Sequence, residues 1–245
     1  MSTIRSLATL AISSAALLLF SCNSGGDKKA ETPTGDTATH QPETSPSTAP
    51  TPSGPKSAML IIHHVADYNK WKAAYDGHDS VRLANGLHNY VICRGTEDSN
   101  QVLVSLIMDD VTKAKAMGNS AELKDRMKKA GVTGAPMIDY IEALTNDTTH
   151  IQSSIRVMVR HKVKDFDAWK KEFDSHQQAR MDAGLTDRVL ARTVDDHNSV
   201  TLVFAVSDLA KAKAFMNSQD LKDKMKAAGV EGAPWVFFYR VVQKY

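Results

Sequence analysis

The feature that most constrains this chain is that it repeats itself. Laid over itself at an offset of 98, residues 58–142 run against residues 156–240 without a gap, and roughly 33 of the 85 aligned pairs are identical. Asp67-Tyr68-Asn69-Lys70-Trp71-Lys72 answers Asp165-Phe166-Asp167-Ala168-Trp169-Lys170. His78, Arg82, Gly86 and Leu87 answer His176, Arg180, Gly184 and Leu185, and Gly131 to Pro136 answers Gly229 to Pro234. Whatever one copy folds into, the other folds into as well. The expected domains are 57–145 and 155–245, each large enough for a modest core of its own. Two copies also show which polar residues are kept in both.

The 245 residues carry a formal net charge of +2, with acidic and basic residues interspersed. There is no one-signed surface to suit nucleic acid. The Lys-rich stretches 124–129 and 222–226 include Asp125 and Asp223 and are expected to be solvated helix faces. Ahead of the repeats, Arg5 precedes an apolar run from Leu7 to Phe20, of the length of a secretory signal and too short for a confident membrane span. The run ends Leu19-Phe20-Ser21-Cys22, which resembles a bacterial lipoprotein signal at residues 1–22, with Cys22 as the acylated residue. The alternative is an ordinary signal with an unmodified cysteine; Phe20 is bulkier than the lipoprotein pattern usually has. Several acyl chains at Cys22 would anchor the protein to the membrane, and Asn23 in place of Asp leans towards the outer membrane of a bacterial cell envelope. Residues 23–56, rich in Thr, Pro, Ser, Gly and Ala, read as a disordered tether with an end-to-end distance of roughly 30 Å. The other cysteine, Cys93, lies in an apolar stretch, is matched by Ala191, and is expected to act as a small buried hydrophobe.

Each copy reads strand, helix, strand, strand, helix, strand. Met59 to Val65 is rich in strand formers; Asp67 caps a helix that continues to Gly86; Tyr90 to Arg94 and Val102 to Met108 are strands joined by a turn. Asp110 and Ser120 start further helical segments, and Ala135-Pro136 opens a last strand from Met137 to Leu144. The order βαββαβ is the ferredoxin-like split unit, an α+β arrangement with both helices on one face of an antiparallel sheet. The other face, carrying Leu60 in one copy and Met158 in the other, is bare and apolar and must be covered. Two copies on one chain cover each other, the short polar link 146–154 permitting it. The chain is therefore expected to be a monomer holding an intramolecular pseudo-dimer.

The runs Val-x-Asp-[Tyr/Phe]-x-x-Trp-Lys and [Tyr/Phe]-Asp-x-His-x-x-x-Arg-x-x-x-Gly-Leu, present in both copies, resemble the dimeric α/β-barrel superfamily, closest to its antibiotic-biosynthesis-monooxygenase-like members. The resemblance covers both repeats and not the first 55 residues. It implies a barrel of two ferredoxin-like units, here closed within one chain. It leaves function open among cofactor-free oxygenases, haem-degrading enzymes, isomerases and proteins of unknown role.

The kept polar residues point to one constellation. On a helical wheel, Trp71, Tyr75, His78 and Arg82 share an arc, as do Trp169, Phe173, His176 and Arg180. Strand alternation turns His63 and His161 towards that arc. Each repeat is thus expected to hold a small polar pocket between helix and sheet, the candidate ligand-binding residues being His63, Trp71, His78 and Arg82 in one and His161, Trp169, His176 and Arg180 in the other. Three readings stand open. The polar groups satisfy one another, with Arg82 reaching out past the helix end. Or the pocket binds a small anionic or aromatic ligand, Arg facing the anion and Trp the ring. Or His78 and His176 act as bases with Arg82 and Arg180 steadying an enolate, the cofactor-free oxygenation or isomerisation that the resemblance suggests. The opposing class is a structural or interaction module of the envelope without a ligand. No metal site is expected, since the two His of each repeat lack a carboxylate or Cys at ligand spacing. No cofactor is called for, and haem would rest on the resemblance alone. Arg94 and Arg192 are read as either barrel-interior ion-pair residues or ligand residues, and Asp98 and Asp196 as turn residues.

Overall fold

The computed structural model describes residues 54–245. The signal segment 1–22 with Cys22, and the tether as far as residue 53, lie outside the described residues. In the first repeat the elements are β1 (Ser57–Val65), α1 (Tyr68–Asp76), α2 (Asp79–Ala84), β2 (Leu87–Gly95), β3 (Gln101–Met108), α3 (Val111–Asn119), α4 (Ala121–Lys129) and β4 (Val132–Asn146). The second repeats them as β5 (Ile155–Val163), α5 (Phe166–Ser175), α6 (Gln177–Asp182), β6 (Leu185–Thr193), β7 (Ser199–Val206), α7 (Leu209–Asn217), α8 (Gln219–Ala227) and β8 (Val230–Lys244).

The eight strands form one closed barrel in the order β1-β3-β2-β8-β5-β7-β6-β4, every neighbour antiparallel. The two sheets are joined along both edges. β2 pairs β8 from Val91↔Lys244 to Gly95↔Tyr239, and β4 pairs β6 from Ile141↔Thr193 to Asn146↔Val189. Closure leaves no strand edge unpaired. Direction alternates around the ring, so β1 and β5, four strands apart, run the same way on opposite walls. Equivalent residues of the two repeats therefore face each other at one height, about an axis that runs along the barrel. Ion pairs from Lys115 to Asp195 and from Lys213 to Glu97 (2.6 Å) link the repeats in the reciprocal sense this axis requires.

Alternation along β1 separates two kinds of core. Met59, Ile61 and Val65 join Trp71, Leu87 and Ala114 between helices and sheet, and Val157, Val159, Val163 and Trp169 do the same in the second repeat. Leu60, Ile62, Cys93, Leu103, Ile141, Met158, Ala191 and Phe237 point inward and pack against one another across the barrel. Burying each Leu, Ile or Met contributes on the order of 1.5–3 kcal/mol, so the inner face that a lone repeat would expose binds the two halves together. Cys93 is fully buried there, and burial raises its thiol pKa.

The helices begin where their side chains can cap them. The Asp67 carboxylate accepts from the Lys70 N–H at 2.8 Å and that of Asp165 from the Ala168 N–H at 2.7 Å, while the Ser120 hydroxyl accepts from the Leu123 N–H at 3.1 Å. Two expectations need correction. The helix from Asp67 does not continue to Gly86. It breaks at Gly77-His78 in the first repeat and at His176 in the second, where His78 and His176 leave helical geometry at φ −111° and −97°. The last strand begins not at Met137 but at Val132. A register shift opposite His63 takes up Gly134 to Pro136, which is how a proline fits within the strand. Gly86 and Gly184, at φ 68° and 75°, turn the chain from the second helical segment into the next strand, a conformation that suits glycine.

Candidate functional site

Each repeat does hold a cavity between helices and sheet. The first, about 80 Å³, is bordered by His63, Trp71, Tyr75, His78 and Arg82. The second, about 60 Å³, is bordered by His161, Trp169, Phe173, His176 and Arg180. The walls are otherwise mostly apolar, from Ile61, Leu87 and Leu106 in one and Val159, Leu202 and Phe204 in the other, together with Arg126 in the first and Glu172 and Lys224 in the second. Trp71 and Trp169 are each 3 % exposed and anchor the helix on the sheet.

The arginines do not reach past the helix end. Arg82 and Arg180, both 5 % exposed, fold back under the helix break. Arg180 grips the Asp187 carboxylate of β6 with two bonds, Nε at 2.8 Å and Nη2 at 2.6 Å, donates Nη1 to the Phe173 carbonyl at 2.5 Å, and lies 3.7 Å over the Phe173 ring. Arg82 donates to Asn89 at 3.0 Å, to the Tyr75 carbonyl at 2.7 Å and to Asp79 at 3.2 Å, stacked at 3.7 Å on Tyr75. Asn89 also accepts from the Tyr75 hydroxyl at 2.5 Å and donates to Asp79 at 2.5 Å. Both guanidiniums thus satisfy carbonyls freed where the helix breaks and tie the break to the second strand. They are committed to protein partners rather than presented to an anion.

The helix histidines are engaged too. His78 Nδ1 lies 2.6 Å from the Ala74 carbonyl, to which it donates, and His176 Nε2 accepts from Lys224 Nζ at 3.3 Å. The strand histidines are not. Neither ring nitrogen of His63 or His161 has a partner, although the residues are only 6 % and 8 % exposed. Each ring lies 5.3 Å, centroid to centroid, from its tryptophan, Trp71 or Trp169. Burial lowers both imidazole pKa values to about 4, so both are neutral at neutral pH.

Arg94 and Arg192 are not interior ion-pair residues. The bulge in β2 turns Arg94 towards the helices, over the Tyr68 ring at 3.8 Å, and Arg192 lies over Phe166 at 4.5 Å. Asp98 and Asp196 accept from Asn100 and Asn198 N–H groups at 2.8 and 3.0 Å, as turn residues do. Among the described residues, no three His, Cys, Asp or Glu side chains converge as metal ligands. A porphyrin is far larger than either helix–sheet cavity.

The sequence did not single out a third and larger cavity, about 420 Å³, inside the barrel at the end where β1 and β5 begin. Leu60, Leu103, Met158 and Val203 line its body, and Arg156 and Arg188 stand at its mouth under the link between the repeats.

No family model and no curated protein matches the chain. Solved structures do. An anthrone oxidase-like protein is 17 % identical, covers 80 % of this chain and 96 % of its own, and superposes with a TM-score of 0.55. A candidate chlorite dismutase is 12 % identical, covers 77 % and 95 %, and gives 0.51. A candidate monooxygenase from Fusobacterium nucleatum is 11 % identical, covers 77 % and 94 %, and gives 0.49. These identities speak to the fold alone. The chain shares the fold of the first two of these structures, and its two ferredoxin-like units close one eight-stranded antiparallel α/β barrel within a single chain.

Proposed function

We propose that each helix–sheet pocket binds a small, mostly apolar molecule bearing one hydroxyl or N–H group, which donates to His63 in the first repeat and His161 in the second, with Trp71 and Trp169 as the ring-facing wall. One observation carries the reading. Two histidines at equivalent positions keep both ring nitrogens buried and unbonded against an apolar cavity. A buried polar group without a partner costs about 1–3 kcal/mol, and a donor on a bound molecule removes that cost. The engagement of Arg82 and Arg180 by Asp79, Asn89 and Asp187 favours a neutral ligand over an anion. A pKa near 4 makes a weak base at neutral pH, which favours binding over proton abstraction as the task of these residues.

The anthrone oxidase-like neighbour makes phenols the first probes. Phenol is expected to raise the melting temperature of the protein, and the double variant His63→Leu, His161→Leu to abolish the rise. A rise that persists in that variant would place the ligand elsewhere. The oxygenase and isomerase readings are tested by oxygen uptake and turnover across a hydroquinone panel.

We further propose that acylated Cys22 anchors the protein in a bacterial envelope, on the Leu19-Phe20-Ser21-Cys22 pattern. Cys22→Ser is expected to move the protein from the membrane fraction to the soluble one. A variant that stays membrane-bound would count against the anchor.

A further inference from the structure

We infer that the mouth of the barrel is a second kind of binding site, taking an amphipathic carboxylate whose single slender apolar body runs down the barrel and whose head group meets Arg156. The site is separate from the helix–sheet pockets and stands without them.

The volume comes first. At about 420 Å³, the cavity falls within the usual range for ligand sites, about 300–1,000 Å³. An eight-stranded barrel is just wide enough to be filled by side chains or to hold one small ligand. The inner layers that pack tightly nearer the other end, around Ile62, Phe237 and Trp235, give way here to smaller side chains: Ala58, Ala143, Ser105 and Thr201. Leu60, Leu103, Met158 and Val203, with Tyr239 beside them, make the body of the space largely apolar, which suits an alkyl chain.

The charge comes second. Arg188 is 8 % exposed and is half neutralised, donating Nη1 to Asp147 at 2.9 Å and Nη2 to the Thr149 carbonyl at 2.5 Å. Arg156 donates Nη1 to the carbonyls of Ser153 (2.6 Å) and Ile155 (2.9 Å). No carboxylate lies within ion-pair distance of it among the described residues. Burial, with the charge of Arg188 adding to it, lowers the pKa of Arg156. At the other end of the barrel, Arg160 shows the opposite situation, paired with Asp139 at 2.6 Å. Among the side chains lining the cavity, Arg156, Arg188, Lys56 and Lys244 stand with one acidic residue, Asp147, so the mouth is net positive. A carboxylate suits that charge, and the planar fork of Arg156 suits its shape.

The third observation is where the charge sits. Opposite Arg156, at the same height, the first repeat has Ala58, and the counterpart of Arg188 is Tyr90. The two guanidiniums thus stand on the second repeat's side of the mouth alone, which places the head group of the ligand against that wall.

The test is calorimetric titration of the full chain carrying Cys22→Ser, which removes the acylation site and the need for detergent, with octanoate and with 1-octanol. Octanoate is expected to bind once per chain and, through one charge-assisted contact, about tenfold or more tightly than the alcohol. Arg156→Met is expected to bring octanoate down to the level of the alcohol and to leave the alcohol unchanged. Arg156→Lys keeps the charge and should retain part of the preference, provided circular dichroism shows the fold intact. Val203→Trp, which fills the body of the cavity, should remove both ligands. Equal affinity for acid and alcohol, no saturable octanoate binding, or undiminished binding by Arg156→Met would overturn the proposal. So would loss of octanoate binding in the His63→Leu, His161→Leu variant, which would move the ligand to the helix–sheet pockets.

Discussion

Between pH 6.5 and about 4, His63 and His161 set a definite trend. Their ordinary pKa is 6.5 and burial in the folded protein lowers it to about 4. Above pH 6.5 both states are neutral and no stability is lost. As the pH falls below 6.5, the unfolded chain takes up protons that the folded one refuses, so the folded state loses ground until about pH 4. The loss is on the order of 3 kcal/mol for each histidine. The double variant His63→Leu, His161→Leu should flatten the fall in unfolding free energy between pH 6.5 and 4, measured by urea denaturation across that range. A variant as pH-sensitive as the parent would show that the trend comes from other groups. At this scale the sequence was half legible. Alternation on β1 placed His63 and His161 against the helices, as found. The partners of the arginines were hidden because the carboxylate changes place between repeats: Asp187 on β6 serves Arg180, whereas Asn89 stands at that position in the first repeat and Asp79 supplies the charge. Comparing only what is identical in both copies passes over both.

Among the elements, the meeting of α3 with β4 tests how closely helix and sheet pack. Gly118 is where the helix crosses the Tyr140 ring; a Cβ there would collide with the Tyr140 hydroxyl and come within 3.0 Å of the Met59 methyl. The second repeat has Met216 and Phe238 at these places and no hydroxyl to avoid. Gly118→Ala is expected to destabilise by about 1–3 kcal/mol through overpacking. Adding Tyr140→Phe should recover a large part of it, at the loss of one long hydrogen bond to the Ala114 carbonyl at 3.4 Å. Additive losses in the double variant would mean that the hydroxyl is not the obstacle. The helix caps at Asp67, Asp110 and Ser120 were readable because a cap is a local event of a few residues. The break at His78 was not, because a wheel assumes the period it is meant to test.

At the scale of the whole molecule, the repeat was enough to give the barrel, since a bare inner face on each unit leaves the other as the nearest cover. The isolated first repeat, residues 54–150, is expected to associate with itself through Leu60, Ile62, Leu103 and Ile141, the inner side chains it would otherwise expose. The full chain should remain monomeric. Sedimentation velocity distinguishes these outcomes, and a soluble, monomeric single repeat would contradict the account of what holds the halves together. The cavity at the barrel mouth was not legible. It arises from inward residues that differ between copies, and whether they leave space depends on side chains from four or more strands and the link meeting there.

In a barrel closed by two identical chains, whatever one chain points inward at a given height the other must point inward too, so inward charges come only in even numbers. An arginine at position 156 would meet its own copy across the lumen, and the pair would repel. Joining the halves end to end lifts that rule. Ala58 stands where a second guanidinium would otherwise be, so at this height the lumen carries its guanidinium on one wall alone.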